Sequence, residues 1–327
     1  MALSTLLPRR ARRTSAAWLA CGALLSVGCS GEVVNLGASP LQAGGSAGSA
    51  GSAQGGAVSH VWELPLEPLF PQKDGTLLAN PTLTEAGNQL FCSVQQQQGT
   101  NPDPNDSHVE RAELVGARWK EPVALTLGDA MPDASSPAIS FDGGELWLGM
   151  NSGSSSTDIY RSVRQGEVWT KPEAVNALNS TFDDVPRQPG FHHTVMPLSS
   201  KRHGGPRYQI YLSTRDSNGT WSEPNNALLT NVNAADFQSA DGFLTDEGLE
   251  LYFSSTRDGD HVDSDLYVAR RANTEASFGL PEPLVDLNDP EGRSQERMPW
   301  LRLDGTQLYF VSDRSGQYTL YVANKVR

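Results

Sequence analysis

Short runs of apolar and aromatic residues recur along most of the chain, separated by turn residues. Leu146-Trp147-Leu148, Leu251-Tyr252-Phe253 and Leu308-Tyr309-Phe310 each follow a glycine turn, at Asp142-Gly143, Asp246-Glu247-Gly248 and Asp304-Gly305. Ala86-Gly87 and Pro189-Gly190 hold the equivalent places in two further units. A later run completes the pattern: Asp158-Ile159-Tyr160, Gln209-Ile210-Tyr211-Leu212, Asp265-Leu266-Tyr267-Val268 and Thr319-Leu320-Tyr321-Val322. Turn residues between β-branched and aromatic runs predict hairpins. No segment sustains a capped helical period.

A third landmark sets the period. An aromatic residue followed three positions later by proline occurs at Trp62-Pro65, Trp119-Pro122, Trp169-Pro172, Trp221-Pro224 and Phe278-Pro281, at intervals of 57, 50, 52 and 57 residues. Each unit therefore reads as strand, glycine turn, strand, loop, strand, and an aromatic-x-x-Pro strand. Four antiparallel strands in a repeat of this length describe one blade of a β-propeller. The last unit ends after its third strand, while the surplus aromatic-x-x-Pro segment, Trp62–Pro65, stands at the start. The prediction is an all-β, five-bladed propeller of four-stranded antiparallel blades, its ring closed by the N-terminal strand pairing with the strand around Leu320-Tyr321-Val322.

Ser136-Pro137-Ala138-Ile139-Ser140-Phe141-Asp142-Gly143 and Leu251-Tyr252-Phe253-Ser254-Ser255-Thr256-Arg257-Asp258-Gly259 resemble TolB-type (WD-repeat-like) propeller repeats. Ser312-Asp313-Arg314-Ser315-Gly316 and Ser199-Ser200-Lys201-Arg202 repeat the Ser/Arg part. The resemblance covers roughly residues 60–327 and is strongest in the second, fourth and fifth units. Well-known members often have six blades; five motifs here imply five. Ser140-Phe141-Asp142-Gly143-Gly144-Glu145-Leu146-Trp147 also resembles the Asp-box of sialidases, a turn-stabilising element that implies a propeller and not hydrolysis.

Residues 1–28 have the layout of a secretory signal, with Arg9, Arg10, Arg12 and Arg13 ahead of an apolar stretch from Ala16 to Val27. That stretch is too short for a stable membrane span. It ends in Leu25-Ser26-Val27-Gly28-Cys29, which resembles the lipobox of bacterial lipoproteins, with Ser26 where the family usually has Leu. The resemblance implies that Cys29 is diacylated and becomes the mature N-terminus; ordinary signal cleavage with an incidental Cys29 is the alternative. Residues 29–58 are rich in Gly, Ser and Ala and read as a flexible tether, leaving 59–327 for the propeller. With Cys21 in the signal and Cys29 lipidated, Cys92 is the one spare thiol, so no internal disulfide is expected.

The formal net charge is −13, and removal of residues 1–28 takes away four arginines and no acid. So acidic a surface repels nucleic acid and anionic headgroups. Contact with the membrane is expected only through the lipid anchor, most simply at the outer membrane, and the chain is expected to act as a monomer.

Candidate chemistry is sparse. No Cys/His set has zinc spacing, and neither a nucleophile elbow nor a phosphate-binding glycine loop is present. His192-His193 are neighbours that point to opposite faces of a strand and read as a turn. Asp133, Asp184, Asp236 and Glu296 stand just ahead of the inner strands in four units. Either they crowd one channel mouth and hold a calcium ion, a basic peptide or a polar ligand, or each caps a local turn; Asp183 reads as solvated. The acidic segment Asp258–Asp265 lacks the glycine and closing glutamate of a helix-loop-helix calcium site and reads as an exposed loop. Arg202, Arg257 and Arg314 recur two residues after a serine and read as architecture, such as pairing with the next blade. Two functions lead on this pattern, with a purely structural surface lipoprotein as a third. One is a non-catalytic envelope module holding a protein or glycan partner. The other is a propeller glycoside hydrolase using channel carboxylates, which would need two of them roughly 5–10 Å apart.

Overall fold

The computed structural model describes residues 61–326 apart from 65, 74, 99–100, 130–132, 152–155, 191 and 259–262, with the backbone alone at 96–98 and 101–106. The expected signal, Cys29 and the expected tether lie outside the described residues. The described chain forms no helix and folds as a five-bladed β-propeller of antiparallel blades.

Blade one contains strands Thr76–Leu83, Gln89–Gln98 and Asn101–Val115, with Val123–Ala124 outermost. Blade two contains Ala134–Ile139, Glu145–Met150 and Asp158–Gln165, with Glu173–Ala174 outside. Blade three begins with the short strand Asp184–Pro186 and continues with Val195–Ser200 and Gln209–Thr214. Its outer element is reduced to the bridges Leu212–Asn225 and Arg215–Trp221. Blade four contains Ser239–Leu244, Glu250–Ser255, Asp265–Arg270 and Glu282–Pro283. Blade five contains Glu296–Leu301, Gln307–Ser312 and Thr319–Asn324.

The chain's own beginning completes blade five, as the count of motifs predicts. Trp62 bridges Lys325 and Pro68 bridges Tyr321. Glu63 N donates to Asn324 O at 2.8 Å and Leu69 N to Leu320 O at 2.7 Å. Trp62 and Phe70 are buried in the same apolar cluster as Leu320 and Tyr321. This closure removes the exposed edge that an open ring would present.

Blades two to five are stapled in succession by a repeated device. In each of these three connectors a buried Leu178, Val232 or Leu287 is followed by an asparagine. The side chains of Asn179, Asn233 and Asn288 accept from and donate to the backbone of Ile159, Ile210 and Leu266 at 2.7–3.1 Å. A side-chain amide thus stands in for a missing strand partner on the preceding blade. The carbonyls of Leu178, Val232 and Leu287 then accept from Arg202, Arg257 and Arg314 of the following blade. The recurring arginines are architectural as expected, but they reach back to the connector from the preceding blade.

The inner strands share a second device. Asn80, Ser136, Asp241 and Met298 all adopt positive φ, 50–60°, at register shifts in blades one, two, four and five. Such bulges re-aim neighbouring side chains, and a non-glycine residue held there costs about 1–3 kcal/mol. Blade three has Pro186 at this place, which cannot take positive φ. Its hairpin differs too: His193, not Gly190, takes the left-handed turn position, with His192 also at positive φ. Gly190 serves a different need, because a Cβ there would meet Leu244 O of blade four at 2.1 Å.

Candidate functional site

The four carboxylates singled out in the sequence do not share one environment. Asp184 is fully buried and accepts from Ser180 N and Oγ at 2.6 and 2.8 Å and from Arg202 Nη2 at 2.7 Å. Glu296 is fully buried and accepts from Ser294 Oγ, Ser312 Oγ and Arg314 Nη2 at 2.6, 2.8 and 2.9 Å. Asp236 is exposed, and Asp133 is partly buried with a partner of its own. Asp183 is not simply solvated: it pairs with Lys201 at 2.8 Å and accepts from Tyr208 Oη at 3.2 Å. Burial, together with Asp183, pushes the Tyr208 hydroxyl up from its ordinary range.

Further acidic residues at the same ends of the strands are crowded. Asp265 is pushed up to about 6, first by burial and then by Glu296, Asp258, Asp263 and Asp289. Asp158 is raised by burial and by Asp184 and Asp183. Among the described residues no group of three or more His, Cys, Asp or Glu side chains is arranged to hold a metal ion.

The channel itself is filled by a polar plug that the sequence reading did not find. Because blade three's inner strand stops at Pro186, the next two side chains turn into the axis. Arg187 is 5 % exposed and Gln188 3 %. Gln188 Nε2 donates to Leu83 O of blade one at 2.9 Å and to Ile139 O of blade two at 2.6 Å. Its Oε1 accepts from the indole of Trp300 in blade five. Arg187 Nη1 donates to Asn80 Oδ1 of blade one at 3.0 Å, and its Nη2 lies 3.5 Å from Asp241 Oδ1 of blade four. Two consecutive residues therefore tie all five blades together at the axis.

Asp241 is the acidic member of this plug. Its N–H donates to Ser199 Oγ at 2.9 Å and its Oδ2 accepts from Ser254 Oγ at 2.8 Å. Arg297 Nε stands 3.7 Å from the same Oδ2. Burial lowers the Arg187 guanidinium from its usual value; Asp241 opposes this and Arg297 adds to it. A sequence signal for these positions did exist. Asn80-Pro81, Ser136-Pro137, Asp241-Gly242 and Met298-Pro299 each begin seven residues before a turn glycine, and the same count from Pro186 leads to His193.

The fold defines a five-bladed β-propeller, and solved structures agree at low sequence identity. A glycoside hydrolase is similar with a TM-score of 0.53 and 11 % identity, over 77 % of this chain and 88 % of the other. A thermostable family-43 glycoside hydrolase is similar with a TM-score of 0.51 and 11 % identity, over 78 % and 90 %. A putative TolB from Agrobacterium tumefaciens is similar with a TM-score of 0.47 and 16 % identity, over 72 % and 70 %. The likenesses to the two glycoside hydrolases establish the fold alone. No protein-family model matches the sequence, and no curated protein matches it.

Proposed function

We propose that this protein is an exported, lipid-anchored envelope protein whose propeller binds a protein or glycan partner at the channel mouth without catalysis. One observation carries the non-catalytic part. Among the described residues, the inner strands carry Asp184, Asp241 and Glu296, and all three are buried against serine or arginine donors. A glycosidase needs two carboxyl groups facing substrate across the scissile bond. Here the carboxylates nearest the axis face the protein instead. Export and anchoring rest on the signal layout, the Cys29 lipobox and the tether.

One experiment tests both parts. Full-length protein made in a bacterial host should partition into detergent with the membranes, and Cys29→Ala should be released as soluble protein. Neither form should release reducing ends from a panel of arabinans, xylans and pectins. Hydrolysis that Asp241→Asn abolishes would establish the glycosidase function instead.

A further inference from the structure

The glycine turns lie at the opposite ends of the strands from the channel-mouth acids, and two of them frame an open groove of about 580 Å³. Its walls are residues 84–89 of blade one and 141–143 of blade two, and Arg164 from the third strand of blade two completes the lining. The two turns are fixed against each other. Glu85 N donates to Phe141 O at 2.8 Å, and a Cβ on Gly143 would meet Thr84 Cγ2 at 3.3 Å. The groove is therefore preformed, and a ligand need not order it on entry. Its volume falls within the range of small-molecule sites, about 300–1,000 Å³.

The polar groups that line it have bonding capacity left over. Asp142 uses one oxygen: Oδ1 accepts from Ser140 Oγ at 2.5 Å and from Gly144 N at 2.9 Å. Those bonds, Ser140 first, hold its carboxyl below the usual carboxylate range, so Oδ2 remains as a charged acceptor. Asn88 Oδ1 accepts from Thr84 Oγ1 at 3.3 Å, while its Nδ2 has no partner among the described residues. Arg164 donates through Nε to Gly166 O at 2.9 Å and through Nη2 to Glu167 at 3.1 Å, which leaves Nη1. The side chains of Glu85 and Gln89 make no hydrogen bond among the described residues. Acceptors and donors thus stand side by side.

We propose that this groove is a binding site separate from the channel mouth, and that it takes a neutral sugar unit with adjacent hydroxyls. A hydroxyl both donates and accepts, so neighbouring hydroxyls can answer a carboxylate and an amide or guanidinium at once. A cation would satisfy Glu85 and Asp142, but it would lie against Arg164 and leave the amide N–H groups of Asn88 and Gln89 unmatched. An anion would meet the two carboxylates. The site stands whether or not the channel mouth binds anything.

Full-length protein is applied to an array of neutral and acidic glycans, and the strongest glycan is then titrated into it at low and high sodium chloride, beside tetralysine. Binding to neutral glycans is expected, changing less than about twofold with salt because a neutral ligand has no charge to screen. Glu85 and Asn88 are exposed, so substitutions there should leave the fold intact. Asn88→Ala should weaken binding about fivefold, the loss of one hydrogen bond. Glu85→Gln keeps an acceptor and should weaken it less. The sugar should also shift the wild-type backbone amide resonances of residues 84–89 and 142–144, and these shifts decide if Asn88→Ala does not fold. An array on which nothing binds, or only acidic glycans do, would overturn the site, as would undiminished binding by Asn88→Ala. Tetralysine bound in place of sugar, with an affinity that falls steeply with salt, would make the groove an acidic seat and overturn the sugar. Shifts confined to residues 183–188 and 294–297 would sink the groove and leave the channel mouth standing as the glycan site.

Discussion

Replacing Gln188 by leucine is expected to destabilise the propeller by about 3–5 kcal/mol, far more than a surface substitution. The shape is nearly kept, but the Trp300 indole N–H loses its acceptor in a buried site, and the carbonyls of Leu83 and Ile139 lose a donor. A buried donor left unsatisfied costs about 1–3 kcal/mol, and the two carbonyls add to it. Gln188→Glu is expected to be no better. A carboxylate can accept from Trp300, but it would press against two carbonyl oxygens and bury a charge. Equilibrium urea unfolding checks this, and a loss under 1 kcal/mol for the leucine variant would show that the axis is not held through this side chain.

The second large effect concerns ring closure. Deleting residues 61–70 should remove the buried Trp62 and Phe70 and leave the Thr319–Asn324 strand with an open edge. Truncating one large buried aromatic costs about 3–5 kcal/mol, so losing two should unfold the blade or most of the ring at moderate temperature. The bare edge should also promote association between copies. Trp62→Ala alone is the milder form, with a loss of about 3–5 kcal/mol. Thermal melting combined with light scattering reads both results, and a deletion that melts like the intact protein would place the closure elsewhere.

The repeat was legible because blade strands obey local rules. Glycine turns, aromatic runs and the aromatic-x-x-Pro segment sit at fixed places, and counting them gave the blade number and the closing strand. The axis was not legible for a physical reason. Its residues come from five strands distant in sequence, and the central pair, Arg187 and Gln188, lies where blade three departs from the repeat. A departure from a pattern does not reveal which way its side chains turn. Asp184 and Glu296 show the same limit. Acids ahead of a strand look alike in sequence, whether they face water or lie beneath an arginine from later in the same blade. The arginines were visible as a repeat, but their partners, the connector carbonyls, carry no side-chain signature. The asparagines of the connectors did have one, following Leu178, Val232 and Leu287 in turn, and that pattern is a usable mark of this staple.

The account turns on an axis sealed by side chains rather than an open channel lined with reactive carboxylates. Hydrogen exchange at the Trp300 indole, followed by NMR on nitrogen-15-labelled protein, tests this without altering the molecule. That proton is buried and donated to Gln188, so it should exchange only through global unfolding, as slowly as the most protected core amides. Exchange as fast as that of a solvent-exposed indole would mean that water enters the axis freely, and would contradict the sealed plug.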